Sequence, residues 1–262
     1  MKDLIVETKQ IETLVGSIKN ELIVKNGLLY RYYSESDAQT IIRAAASVTE
    51  QNGLIVESIQ LYTLCDSYNQ CIDIFLHQLA RMVSLGVTTN ERQQLIEMAV
   101  KFRTLLLHNP ARTISEVKVT TLTILLKLIQ FFDLYHLGSE KYDDALEVLY
   151  SLHLLPLTED SLELENAIQR FSTLDVTLRR IFADVALVTM DIYYIKYESI
   201  RHVDAGLMQR DLNFNRATIM RELQTKARGL VNFIGMNQMY IGADINAKLV
   251  RTEAMMSSQY YK

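Results

Sequence analysis

The residues of this 262-residue chain that could bind a metal or act on a substrate are scattered along it. The five histidines lie at positions 77, 108, 136, 153 and 202, and none belongs to an H-E-x-x-H or E-x-x-H motif. Asp133 and His136 share one face of a predicted helix, but a helical metal site needs further ligands from facing helices, and no second pair of this kind occurs. The sequence therefore predicts structural or helix-terminal histidines and no metal or cofactor.

Two pairs of adjacent acids are the remaining candidates for acid–base chemistry. Asp143-Asp144 and Glu159-Asp160 each fall in or before the first turn of a predicted helix. Negative charge at that position offsets the exposed N–H groups of the helix start, so capping explains both pairs better than catalysis does. A catalytic pair built from different helices stays open as an alternative.

Motifs of known enzyme classes are missing from the sequence. It contains no phosphate-binding loop, no G-x-G-x-x-G and no G-x-S-x-G. The two cysteines, Cys65 and Cys71, lack a C-x-x-C spacing, which favours reduced, buried thiols over a zinc site or a disulfide. We expect a protein that is not an enzyme and has no small-molecule substrate.

Composition favours an all-α fold. Hydrophobic residues make up 49% of the chain, whereas two prolines and nine glycines are too few for a fold built from strands and turns. The net charge of −4 provides no overall basic surface, which counts against nucleic acid as a direct partner.

One stretch, residues 119–136, is apolar on nearly every side of a helix. From Leu122 to Tyr135 only Thr123, Lys127, Gln130 and Asp133 interrupt the apolar residues, so this helix must be surrounded by neighbours. The uncharged part is shorter than the roughly 20 residues that a bilayer crossing requires. We therefore expect a buried helix and no transmembrane segment.

Periodicity and stop signals predict further helices, and the most regular apolar spacing runs from Leu174 to Ile195. The predicted ranges are 4–24, 36–52, 54–65, 68–83, 90–108, 139–152, 161–171, 174–195, 216–234 and 243–256. Tyr30, Tyr32 and Tyr33 fall in a predicted short connector, and residues 198–215 are polar and predict a flexible connection.

Short turns and a recurring packing pattern predict stacked helix pairs. Asp66-Ser67 alone separates two helices, which must then run antiparallel as a hairpin. A tyrosine followed by small and large apolar residues occurs twice with the same spacing, at Tyr68, Cys71, Ile72, Ile74 and Phe75 and at Tyr142, Ala145, Leu146, Val148 and Leu149. Such a face is typical of helical repeats, although chance similarity of amphipathic helices is the alternative. We expect an α-solenoid of stacked antiparallel hairpins, forming a single domain over residues 1–262.

The C-terminal part of the chain holds an adaptable apolar group beside basic residues. Its members are candidates for partner binding: Leu230, Phe233, Met236, Met239 and Tyr240, with Met255 and Met256 nearby. Methionine most often fills gaps in a core, so core packing is the simpler interpretation. The alternative is a groove for a short apolar motif of a partner.

Several stretches resemble the nucleoporin-interacting component family, the ninety-three-kilodalton scaffold nucleoporins of the inner ring of the nuclear pore. They occur in the order of that family: LIQFFDLYH at 128–136, LHLLPL at 152–157, ARGLVNFIGM at 227–236 and DINAKLV at 244–250. LYTL at 61–64 with Tyr68 resembles the upstream helix pair. The resemblance covers residues 52–256, and the first 50 residues match poorly.

The resemblance implies a structural role. The chain would be the C-terminal α-solenoid of a longer scaffold nucleoporin at the nuclear envelope, supporting protein and mRNA transport through the pore. Its partners would be other nucleoporins, including a linear motif of a smaller, membrane-associated linker nucleoporin. Two other classes stay open: a helical-repeat adaptor of another assembly, such as a vesicle coat, and an all-helical enzyme with polar residues converging in a pocket.

Overall fold

A computed structural model describes residues 1–19, 22–25, 27–86, 89–108, 114–202, 210–237 and 241–258. Regular structure in these ranges is almost entirely α-helical, which confirms the predicted all-α class. A 3-10 helix spans Ser139–Lys141. The helices, in chain order, are α1 (Lys2–Thr8), α2 (Ile11–Leu14), α3 (Leu29–Tyr32), α4 (Glu35–Gln51), α5 (Ile55–Leu64), α6 (Tyr68–Met82), α7 (Asn90–His108), α8 (Glu116–His136), α9 (Tyr142–Tyr150), α10 (Ser161–Thr173), α11 (Val176–Arg201), α12 (Arg210–Met236) and α13 (Ala243–Ser258).

The prediction of one N-terminal helix over residues 4–24 is wrong. The chain forms α1 and α2 there and then a hairpin of two short antiparallel strands, β1 (Ser17–Lys19) and β2 (Leu22–Val24). Lys9 ends α1 with a φ of 56°, and Gly16 has a φ of 143°, both outside the range of a right-handed helix. Apolar residues at helical spacing could not reveal these two backbone breaks.

Two predicted connectors are shorter than expected. The tyrosine-rich segment after the hairpin forms α3. The polar segment predicted to be flexible over 198–215 is helical at both ends, in α11 up to Arg201 and in α12 from Arg210, and residues 203–209 lie outside the described ranges. Glu198 forms an ion pair with Arg201 at 2.9 Å and a hydrogen bond with His202 at 3.0 Å, and these contacts stabilise the last turn of α11.

The described residues group into two compact units, one of residues 1–82 and 87–126 and the other of residues 83–86 and 127–262. In the first unit α4 packs against α1 and α5, and α6 packs against α5 and α7. Phe75 and Phe102 meet there with ring centroids 5.2 Å apart. The expectation of a single solenoid domain over residues 1–262 stays a prediction.

The second unit is centred on α11, α12 and α13, which all contact one another, with α10 against α12. Phe171, Phe182 and Phe233 supply one ring each from α10, α11 and α12. The ring centroids of Phe171 and Phe182 lie 4.9 Å apart, and each lies 5.8 Å from that of Phe233. We call this group the aromatic cluster, and all three side chains are fully buried.

The apolar stretch at 119–136 forms most of α8 and is buried as predicted. Leu122, Leu125, Leu128 and Phe131 are each at most 1% exposed. The two tyrosine-led repeats likewise turn most of their residues inward, including Tyr68 and Tyr142. Among the helices that the structure describes, none is both long and apolar enough to cross a membrane.

Gly229 allows α12 to approach the segment before α10 closely. A Cβ placed on Gly229 would lie 2.4 Å from the backbone oxygen of Thr158, whereas one on Gly235 would meet nothing within 4 Å. We expect Gly229→Ala to lower the free energy of unfolding by about 1–3 kcal/mol, because backbone must move to admit the methyl group. Gly235→Ala, the matched control, should raise it by up to about 1 kcal/mol through helix propensity. Urea unfolding checks both, and equal effects would contradict the close approach.

Candidate partner-binding site

The first pair of acids carries out the predicted helix-terminal role. Asp143 and Asp144 lie in the first turn of α9. Asp144 pairs with Lys141 at 2.9 Å, and Asp143 pairs with Lys196 of α11. In the part of the chain that the structure describes, no three histidine, cysteine or acidic side chains gather into a possible metal site.

The second pair of acids works differently from the prediction. Asp160 occupies the N-cap position of α10, but its side chain makes no capping hydrogen bond. Glu163 accepts one from the backbone N–H of Leu157 at 2.6 Å and another from the hydroxyl of Thr158. In a capping box, a glutamate at this position accepts from the backbone N–H of the N-cap residue. Here the N–H of Asp160 donates to the hydroxyl of Thr158 at 3.2 Å, so the D-S-L-E sequence does not form that motif.

The two cysteines are free and buried, as expected. Burial raises the pKa of Cys65, and it raises the pKa of Cys71 to about 12. Both groups therefore stay protonated thiols at neutral pH, and a protonated thiol is a poor nucleophile and metal ligand.

The structure divides the five residues predicted for partner binding. Leu230 and Phe233 are at most 1% exposed, and Phe233 belongs to the aromatic cluster, so neither offers a surface to a partner. Met236 is 63% exposed, and partner binding through it stays a prediction. Met239 and Tyr240 lie outside the described residues. The spacing of apolar residues did not separate the buried face of α12 from its exposed end.

A groove of about 490 Å³ between α8, α11 and α13 offers a better candidate site, which we call the α13 groove. Its volume is within the range of natural binding pockets. The sequence pointed only to Met255, which is 39% exposed. The lining residues are Tyr135, Leu187, Val188, Met190, Asp191, Tyr194, Lys248, Leu249, Thr252 and Met255.

One wall of the α13 groove is fixed by a hydrogen bond between helices. The hydroxyl of Tyr135 donates to Oδ2 of Asp191 at 2.5 Å, and its ring stacks on Tyr142 with centroids 5.6 Å apart. Burial, together with this bond, raises the pKa of Tyr135 well above its usual range. The phenol stays neutral, so the wall is aromatic and rigid. Apolar side chains and a few polar groups in this arrangement suit a short peptide better than a reaction.

Tyr135→Phe tests this wall. The lost hydrogen bond should lower the free energy of unfolding by about 0.5–1.5 kcal/mol at pH 8. Because folding raises the pKa of Tyr135, its contribution is complete below about pH 10, the pKa in the unfolded chain, and falls at higher pH. The variant should thus lose stability less steeply between about pH 10 and pH 11. Urea unfolding at several pH values in this range measures how the free energy of unfolding changes with pH. Equal slopes for the variant and the unchanged chain would contradict the raised pKa of Tyr135.

Phe233→Ala and Met236→Ala separate core packing from surface exposure on α12. Phe233→Ala should lower the free energy of unfolding by about 3–5 kcal/mol, because it opens a cavity in the aromatic cluster. Met236→Ala should change it by less than about 0.5 kcal/mol. Thermal unfolding followed by circular dichroism measures both, and a small loss for Phe233→Ala would mean that this ring is not part of the core.

Comparisons with known proteins relate most of the chain to one family. A family model described as Nup93/Nic96 matches residues 1–248, which includes the first 50 residues that the motifs left poorly matched. The chain is 28% identical to the nuclear pore complex protein Nup93 of Xenopus tropicalis, over 98% of this chain and 30% of that protein. It is 23% identical to the nucleoporin NIC96 of Saccharomyces cerevisiae over 72% of this chain and 24% of that protein.

Comparison with solved structures supports the predicted fold. The crystal structure of Chaetomium thermophilum Nic96 SOL aligns with a TM-score of 0.80 and 18% identity, covering 96% of this chain and 40% of that one. The likeness confirms the fold expected from the stacked helix pairs. The chain spans about a third of the length of the Nup93 relatives that it matches.

Proposed function

Because this chain belongs to the Nup93/Nic96 family, we propose that it is a structural scaffold segment of the nuclear pore complex and acts at the nuclear envelope. The observation that carries this proposal is the family match over residues 1–248. In this role the chain supports nucleocytoplasmic transport by holding other nucleoporins of the inner ring in place. The matched relatives are named as nuclear pore proteins, which favours the pore over a vesicle coat.

The proposed work of the chain is binding and not catalysis. The acids Asp143, Asp144 and Glu159 pair with lysine or arginine, and Glu163 accepts hydrogen bonds from the segment before α10. These groups therefore stabilise helices and their contacts. A scaffold needs long helical surfaces and partner contacts, both of which stacked helices supply.

Within this function, the α13 groove binds a short linear motif of another nucleoporin, such as a membrane-associated linker. Leu187, Val188 and Met255 offer an apolar surface for one or two anchor side chains. Lys248 and Thr252 stand beside it on α13 and can bind the backbone or an acidic group of the motif. Methionine adapts its shape to different anchors, which suits such a role.

Expression of the 262-residue chain as a fluorescent fusion tests the scaffold role. We expect a signal at the nuclear rim and the recovery of other inner-ring nucleoporins by affinity capture and mass spectrometry. Capture of vesicle coat subunits, or a signal spread through the cell with no pore protein recovered, would contradict the proposed function.

Met255→Asp tests the groove within that role. A carboxylate at this half-exposed, apolar position should lower capture of the groove's partner at least about tenfold, because a desolvated charge opposes an apolar anchor. Val250→Asp is the matched control, since Val250 is 44% exposed on the same helix and does not line the groove. Equal capture by both variants would remove the α13 groove from the proposal and leave the scaffold role intact.

A further inference from the structure

A second groove, of about 530 Å³, opens between α9, α11 and α12, and we call it the α9 groove. Leu146 and Leu223 line it and are nearly buried. Ile219 lines it with 38% of its side chain exposed, so an aliphatic surface faces solvent there. This volume is enough to hold a few side chains of a bound peptide.

Some charged groups along the α9 groove have a partner within the described residues, and two carboxylates have none. Asp143 and Lys196 form an ion pair with each other. The ammonium of Lys226 lies 5.2 Å from the centroid of the Tyr150 ring, in cation–π geometry. Among the residues that the structure describes, Glu147 and Glu222 form no ion pair, although both are exposed and line the groove. The groove therefore offers two carboxylates that a cationic partner can bind.

Within the described ranges, two further cations reach the lining residues from neighbouring helices. Arg170 of α10 donates to the backbone oxygen of His153 at 2.9 Å. Lys127 of α8 donates to the hydroxyl of Ser151 at 2.8 Å, at one edge of the groove. Each of these lysines thus already contacts another group: Lys196 a carboxylate, Lys226 an aromatic ring and Lys127 a hydroxyl. Of the acidic residues that line the groove, Asp143 is paired, whereas Glu147 and Glu222 form no ion pair with the described residues.

A hydrogen bond between two helices fixes one wall of the α9 groove in the unbound chain. The hydroxyl groups of Tyr150 and Tyr193 are hydrogen-bonded at 2.9 Å, joining α9 to α11. Burial raises the pKa of Tyr150 to about 12 and holds that of Tyr193 well above its ordinary value, so both phenols stay neutral and keep this bond at physiological pH. A wall held in this way lowers the ordering cost of binding.

From this arrangement we propose that the α9 groove binds a short segment of another polypeptide in which aliphatic anchor residues are flanked by Lys or Arg. The aliphatic side chains cover Ile219, and the cations pair with Glu147 and Glu222. The proposal rests on the scaffold function and extends it, because it gives the chain a second docking surface with its own charge requirement. Charge complementarity of this kind selects partners and speeds their association.

Two labelled peptides test the charge requirement on the full 262-residue chain. Each has about 15 residues with leucines three and four positions apart, and they differ only in flanking arginines or glutamates. Fluorescence anisotropy should show that the arginine peptide binds at least about tenfold more tightly, with an affinity that falls as salt rises. Equal affinities for the two peptides would overturn the proposal.

Charge reversal locates the binding. Glu147→Lys with Glu222→Lys should reverse the preference so that the glutamate peptide binds more tightly, while Glu147→Gln with Glu222→Gln should abolish the preference. Glu165→Lys is the matched control, because Glu165 is exposed on α10 and does not line the groove. Circular dichroism melting verifies that each variant is folded. A double Lys variant that is folded and still prefers the arginine peptide would overturn the proposal.

The fusion protein separates this inference from the function that it rests on. The Glu147→Lys, Glu222→Lys chain should still reach the nuclear rim but lose at least one captured nucleoporin. If it captures the same set as the unchanged chain, the α9 groove is not a docking surface, and the scaffold role stands. If the unchanged chain does not reach the rim, the scaffold role fails whatever the peptides show.

Discussion

Three phenylalanine rings from three helices form the contact that organises the second unit. Phe171, Phe182 and Phe233 meet at centroid distances of 4.9 to 5.8 Å and leave no exposed surface. An amphipathic helix gains most of its stability from packing, so α10, α11 and α12 depend on this contact to stay together. The Gly229 approach to Thr158 and the Arg228 pair with Glu159 lie along the same side of α12.

This packing also determines which surfaces are left for partners. Once Phe233 and Leu230 point inward, α12 presents Ile219 and Glu222 on one side and Met236 at its end. The α13 groove lies between α8, α11 and α13, and the α9 groove lies between α9, α11 and α12. Both are walled by tyrosines whose hydroxyl groups are bonded to another helix. Rigid walls and adaptable apolar residues are the combination that peptide-binding surfaces use.

Local sequence signals predicted the helices where the backbone had no irregularity. The apolar run around Leu128 predicted a surrounded helix, and the Asp66-Ser67 turn predicted the α5–α6 pair. The prediction of an N-terminal helix failed because Lys9 and Gly16 have positive φ angles, which apolar spacing does not encode. The connection predicted from residue 198 begins later than expected, because Glu198 pairs with Arg201 three residues on and stabilises the polar end of α11.

The grooves could not be predicted in the same way, because each joins residues far apart in the chain. Tyr135 and Asp191 are 56 positions apart, and Tyr150 and Tyr193 are 43 apart. No local spacing connects them, and only the packing of the helices brings them together. For the predicted group around Phe233, apolar spacing left core packing and partner binding as alternatives, and the packing of α12 places Phe233 in the core. The ordered motifs identified the family because they come from several parts of the chain, between residues 128 and 250, and not from one site.

We propose that the chain holds other polypeptides in grooves between its helices, inside the nuclear pore. Lysine-directed cross-linking of intact nuclear pores, read by mass spectrometry, tests it most directly, because Lys248 lines the α13 groove and Lys226 lines the α9 groove. Cross-links from both lysines to segments of other nucleoporins are the expected result. Cross-links from these lysines only to residues of the same chain, or to proteins of another assembly, would contradict it.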